Sequence, residues 1–125
     1  TAEKLPKKLP KKGRRFEEKT VFILRCEGQY ALTKRADTGL LAGMWQFPEV
    51  PGILELQQAL EALEGVKEVC RQVEKNHIFT HIEWKMHGIL LEVREQAGPF
   101  IWVDLHRMDE QEALPTAFRQ FREEI

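Results

Sequence analysis

Long apolar runs are absent from this 125-residue chain. No stretch approaches the roughly 18 residues that a membrane-spanning helix needs, so a helical span is excluded and no membrane partner is expected. The charged N-terminus lacks the apolar segment of a signal peptide. Cysteine is scarce, with Cys26 and Cys70 standing alone. Two isolated thiols make neither a disulfide framework nor a cluster-binding pattern, and with His77 and His87 they do not match zinc spacing. No metal ligand set is therefore assigned, and no internal repeat is visible. A cytoplasmic location is the expectation.

What is present is one domain's worth of chain with an uneven charge. Hydrophobic residues make up 42%, enough for a modest core. Net charge is −1, yet residues 1–19 carry +5 and residues 20–125 carry −6. Lys7, Lys8, Lys11, Lys12, Arg14 and Arg15 dominate the basic stretch. A basic arm on an acidic body is either a polyanion contact or a solubilising linker. Two Leu-Pro pairs (5–6 and 9–10) favour extended backbone there, so residues 1–19 read as an interdomain linker. The folded domain is expected over 20–125. The first residue is Thr1 rather than Met, as in a domain taken from a longer protein.

Periodicity gives the order β-β-loop-α-β-β-β-α. Thr20 to Cys26 is rich in β-branched and aromatic residues, Glu27-Gly28 signals a turn, and Gln29 to Arg35 is its hairpin partner. A long loop with Gly39, Gly43 and Pro48 follows. Leu56, Ala59, Leu60 and Leu63 make one apolar stripe in a helix over Glu55–Glu64, with Gly65 as its stop. Val66 to Lys75 alternates weakly. Ile82, Trp84 and Met86 alternate with Glu83, Lys85 and His87 in a strand that continues to Val93, with a bulge expected at Gly88. Phe100 to Leu105 reads as a strand. Pro115 opens a last helix with Ala117, Phe118 and Phe121 on one face. The fold class is α+β, a mixed β-sheet flanked by helices.

Two segments exceed propensity: Asp37-Thr-Gly-Leu-Leu-Ala-Gly-Met-Trp-Gln-Phe-Pro48 and His77-Ile-Phe-Thr-His-Ile-Glu-Trp84. The first is similar to the Gly-Leu-Leu-Ala-Gly-Leu-Trp-Glu-Phe-Pro stretch of the C-terminal domain of MutY-type adenine DNA glycosylases. The second resembles that family's Phe-Ser-His loop, with Thr80 in place of Ser. The basic linker and Leu114-Pro-Thr-Ala-Phe-Arg119 also resemble the family. The resemblance implies a Nudix-like fold and a non-catalytic domain that reads 8-oxoguanine opposite adenine in double-stranded DNA. It places adenine excision, and a 4Fe-4S cluster, in a separate N-terminal catalytic domain that is this domain's partner. The chain itself would need no cofactor. A monomer in a bacterial cytoplasm, held at the nucleoid through DNA, is implied.

Phe79, Thr80 and His81 are the expected contacts to 8-oxoguanine. Phe79 either stacks near the base or anchors the loop in the core. His81 either donates to a phosphate or base, or holds the loop through its backbone. Arg35, Gly39 and Leu40 are candidates for DNA-backbone or interdomain contacts, with a plain surface arginine as the alternative for Arg35. Trp45, Phe47, Leu40 and Leu41 read as core, and Gly39 and Gly43 as tight-turn residues. A Nudix hydrolase needs clustered carboxylates on the helix after the Phe-Pro loop to hold Mg²⁺. That helix offers only Glu55, Glu61 and Glu64, without an Arg-Glu-x-x-Glu-Glu run. Glu61 and Glu64 read as a solvated face, and hydrolysis is the less favoured alternative, as is a protein-interaction domain of the same fold.

Overall fold

In the computed structural model, residues 15–35, 41, 43–63, 65–79, 81–96, 98–110 and 115–125 are described. Among them the elements are β1 (Arg15–Cys26), β2 (Gln29–Lys34), β3 (Trp45–Gln46), β4 (Glu49–Pro51), α1 (Leu56–Glu61), β5 (Val66–Ile78), β6 (Ile82–Val93), β7 (Ile101–Val103), α2 (Leu105–Glu110) and α3 (Thr116–Arg122). The strands form one mixed sheet in the order β3-β2-β1-β6-β5, with β4 added to β1 and β7 to β2. β1 runs parallel to β6 from Arg15↔Ile82 to Arg25↔Glu92, while β5 and β6 form a long antiparallel hairpin. No helix of the described residues is long and apolar enough to cross a membrane.

Both faces of the central strands are covered, so their apolar residues run on rather than alternate with polar ones. Val21, Ile23, Trp84, Met86 and Leu90 pack with Met108 of α2 and Ala117, Phe118 and Phe121 of α3. Phe22, Leu24, Ile89 and Leu91 pack on the other face against Ala59 of α1. Leu56, Leu60 and Leu63 line that same face as half-buried residues, as the helical stripe predicts.

Several boundaries differ from the sequence reading. β1 begins at Arg15, so residues 15–19 are sheet rather than linker. Their alternation hides the strand: Glu17 and Lys19 face inward onto polar partners, leaving no apolar signal. Residues 1–14 still carry +5, because the charges of 15–19 cancel. The expected long loop contains β3 and β4. It is tied to β1 by the buried Thr20 hydroxyl, which donates to the Gly52 carbonyl (2.8 Å) and accepts the Leu54 N–H (2.9 Å). α1 ends at Glu61, capped by Ala62, three residues short of the reading. The strand expected over Phe100–Leu105 stops at Val103, and Leu105 opens α2. There the Asp104 carboxylate accepts the Arg107 N–H (2.8 Å), a side-chain helix cap.

Gly88 is not a bulge. It pairs in register with both Val21 and Val73. A Cβ there would stand 2.4 Å from the Phe121 ring, so the missing side chain admits close approach of α3. The register shifts lie instead in β5, between Val66 and Glu68 and between Val69 and Arg71.

Candidate nucleic-acid interface

The β5–β6 hairpin ends in Phe79-Thr80-His81, the expected reading loop. Its base is set by the cross-strand pairs His77↔Trp84 and Ile78↔Glu83. Phe79 donates its N–H to the Ile82 carbonyl (2.7 Å). Its ring packs edge-on against Trp84 (4.9 Å between centroids) and His77 (4.7 Å). Phe79 is thus half-buried and joined to the core, the anchoring alternative rather than a free stacking ring. The His81 carbonyl accepts the Arg15 N–H (2.7 Å), which fastens the far side of the loop to β1. The His81 side chain is exposed. Thr80 lies outside the described residues, so its two flanks are placed and its hydroxyl is not.

Beneath this loop is a polar cluster around Trp84, which is 1% exposed. The indole N–H donates to Glu17 Oε1 (3.1 Å). Lys19 Nζ lies 4.4 Å and the Arg35 guanidinium 5.1 Å from the ring centroid, within the range of cation–π attraction. Both cations also reach Glu49 Oε2, Lys19 at 2.9 Å and Arg35 at 3.6 Å. Arg35 donates to the Gln46 side-chain oxygen as well.

Arg35 is therefore not a plain surface arginine. Its head is turned into the chain, and its side chain is 17% exposed. Its backbone N–H donates to the Met44 carbonyl (2.9 Å), closing the 36–44 loop. Within that loop Leu41 has φ 58° and Gly43 φ 73°, left-handed values that strain Leu and suit Gly. Phe47 is fully buried, while Trp45 and Leu41 are half-buried against the same core. Gly39 and Leu40 lie outside the described residues, as do Lys7, Lys8, Lys11, Lys12 and Arg14. Arg15 is described: its side chain is 68% exposed and pairs with Glu17 at 3.1 Å.

Sequence reasoning missed Glu17, Lys19, Gln46 and Glu49. Each is a polar residue that reads as solvated. The available signal was alternation: Glu17 and Lys19 share the strand phase of the core residues Val21 and Ile23.

The helix that would carry a hydrolase's Mg²⁺ ligands is organised differently. The Glu55 carboxylate accepts the Gln58 N–H, and the Gln58 side chain accepts the Glu55 N–H (3.1 Å). This reciprocal capping box occupies Glu55 in starting α1. Glu61 is exposed, and Glu64 lies outside the described residues. Among those residues no three His, Cys, Asp or Glu side chains converge as metal ligands would. The donors described on α1 do not fit a hard cation, which needs several converging oxygens.

Comparison with known proteins fits this architecture. Over 92 residues the chain is 34% identical to an adenine DNA glycosylase of Arabidopsis thaliana, covering 57% of this chain and 14% of that protein. The chain thus spans about one seventh of that relative's length. The C-terminal domain of mouse MUTYH, solved in complex with human PCNA, superposes with a TM-score of 0.59 at 24% identity over 85% of each chain. A MutT protein from Methanosarcina mazei gives 0.61 at 22% identity over 89% of this chain and 93% of that one. At such identities these two likenesses establish the fold alone. The NUDIX domain matches residues 20–124, nearly the whole described body, and the chain belongs to that family.

Proposed function

We propose that this chain is the lesion-reading domain of an adenine DNA glycosylase and recognises 8-oxoguanine opposite adenine in duplex DNA. A separate N-terminal domain of the same protein excises the adenine. The observation that carries this reading is the hairpin tip at 79–81, anchored on one side by the Phe79 ring on Trp84 and on the other by the His81–Arg15 bond. The similarity to a protein whose name is adenine DNA glycosylase supports it.

The chemistry of the lesion suits a hydroxyl residue on a fixed loop. Guanine offers N7 as an acceptor in the major groove. Oxidation at C8 makes N7 a donor and adds O8 as an acceptor. The Thr80 hydroxyl accepts the N7 proton in this reading, and a loop N–H donates to O8. Undamaged guanine has neither the N7 proton nor O8, so both bonds are lost, and the hydroxyl recovers only one by turning to donate to N7. The basic residues of 1–14 supply phosphate attraction that is blind to sequence and weakens with salt.

Glycosidic hydrolysis is not assigned to this chain, and neither is Mg²⁺-dependent nucleotide hydrolysis, because the carboxylates described on α1 do not converge. Thr80→Ala tests the reading in the protein that carries this domain, on A:8-oxoguanine and A:G duplexes. A loss of about tenfold or more, mainly on the oxidised substrate, is expected from one base-edge contact. Equal losses on both substrates would make Thr80 structural. Mg²⁺-dependent turnover of an oxidised nucleotide by the isolated chain would restore the hydrolase reading.

A further inference from the structure

The second distinctive segment, 77–84, is linked to the first, 37–48, through Arg35 and one indole. Trp84 closes the second segment and touches Phe79 of the reading loop. Arg35, which brackets the first segment through Met44 and Gln46, lies on the same indole. Lys19 and Glu17 reach it from β1, and Phe118 from α3 at 5.7 Å between centroids.

Filling the core does not require this arrangement. Phe47, Phe118 and Phe121 are fully buried in the same cluster as plain hydrocarbon rings. Around Trp84, by contrast, two cations and two carboxylates are partly withdrawn from water, with Lys19 12% and Glu49 16% exposed. Withdrawing charges costs free energy that packing alone would not incur, and an apolar cluster of similar shape is often as stable. What the polar cluster adds is orientation. The Nε1–H to Glu17 bond fixes the indole's rotation in its own plane. The cations over the ring oppose tilting, because attraction to the π-face depends on direction. An edge-on partner such as Phe79 takes its position from that ring.

We propose that Trp84 is the positioning residue of the lesion-reading loop, with Glu17, Lys19 and Arg35 holding its indole so that Phe79, at the near flank of the loop, is held in one geometry. This inference rests on the function proposed above and adds to it a set of residues that act through the loop. A recognition contact must be held within about half an ångström to discriminate, which demands such a supporting layer.

The experiment compares Glu17→Ala, Glu17→Gln, Trp84→Phe and Thr80→Ala in this chain. Affinity for 8-oxoguanine:A and G:A duplexes is measured at low salt, with melting temperature and the NMR signals of the Phe79 and His77 rings. Glu17→Ala leaves the buried indole N–H without its acceptor, so the melting temperature should fall by several degrees with the fold retained. The Phe79 ring signals should shift, and the preference for the oxidised duplex should fall about three- to tenfold, part of one base-edge contact. Glu17→Gln retains an acceptor and should restore the preference, although it too lacks the ion pair to Arg15. Trp84→Phe should lower the preference at least as far.

If Thr80→Ala abolishes the preference while Glu17→Ala and Trp84→Phe leave it intact, the positioning role is wrong and the lesion-reading function stands. If the unsubstituted chain shows no preference for the oxidised duplex, the reading itself falls and the positioning role falls with it. Should Trp84→Phe fail to fold, the contrast between Glu17→Ala and Glu17→Gln decides alone.

Discussion

Two hairpin tips, β1–β2 and β5–β6, are built on different principles. The β1–β2 tip joins Cys26 to Gln29 through Glu27 and Gly28, both with positive φ (54° and 77°). Such a two-residue left-handed turn follows the twist of its strands. Both residues are exposed. The β5–β6 tip spends its first residue, Phe79, on the core, and its third, His81, on a bond to β1. A connector needs only backbone geometry. A loop whose middle residue must meet a ligand in one orientation needs its flanks fixed. The contrast is the one expected if the second tip has the role proposed for it.

The sharpest way to break the contrast is to remove the anchor. Phe79→Ala deletes the ring contacts to Trp84 and His77. Because Phe79 is half-buried, the expected loss is about 2 kcal/mol, below the roughly 3–5 kcal/mol of a fully buried ring. Amide exchange should quicken at 78–82 well beyond the global change. If denaturant unfolding shows a loss under about 0.5 kcal/mol and exchange at the tip is unaltered, the tip is not anchored by this ring.

How far the sequence revealed this difference depended on what each tip is made of. Turn chemistry is local, so Glu27-Gly28 was legible at once. The long strands and α3 were legible because their buried faces are apolar at a regular period, as with Ala117, Phe118 and Phe121. The resemblance singled out residues 77–84 but left Phe79 between two roles, because only the packing of Trp84 decides between them. The support of the second tip was hidden. Glu17, Lys19, Arg35 and Glu49 are partners across 14 to 67 residues of chain, and an inward-facing charge carries no hydrophobic signal. Gly88 failed for a related reason: a glycine in a strand signals either a bulge or a close approach, and the Phe121 ring that decides between them comes 33 residues later.

A smaller effect sharpens the other side of the comparison. At the β1–β2 tip the cost of substitution is purely conformational, since nothing lies within 4 Å of a Cβ added to Gly28. Gly28→Ala should destabilise by about 1 kcal/mol through its left-handed φ. Glu27→Gly should be neutral or stabilising by a few tenths of a kcal/mol, relieving the same strain at the neighbouring position. Neither should alter the preference for an oxidised duplex. A change in that preference from either variant would mean that the two tips are not independent.

The smallest expected effect separates the two hairpins by their response to acid. β5 is tied to the end of α3 through Glu124, which accepts from Lys75 (2.8 Å) and lies 3.1 Å from Arg71. The hydrogen bond from Lys75 holds the Glu124 carboxyl below its ordinary value of 4.5, with the charges of Lys75 and Arg71 adding to it against an opposing effect of burial. A carboxyl whose folded pKa is depressed stabilises the fold fully above its unfolded value and loses that contribution as pH falls through the folded one. The β1–β2 tip is braced instead by a neutral amide, Gln96 Nε2 donating to the Cys26 carbonyl (3.1 Å) and to Gln29 Oε1 (2.8 Å). Acid should therefore loosen the β5–α3 junction and leave this brace unchanged. Thermal unfolding of the unsubstituted chain and of Glu124→Gln should differ by a constant amount from pH 7 to about pH 5, and the difference should shrink below about pH 4.5. A difference that stays flat to pH 3 would show that the ion pair adds nothing to the hold of α3 on the hairpin. In that case the hold falls to apolar contacts such as Phe121 over Gly88, which do not titrate.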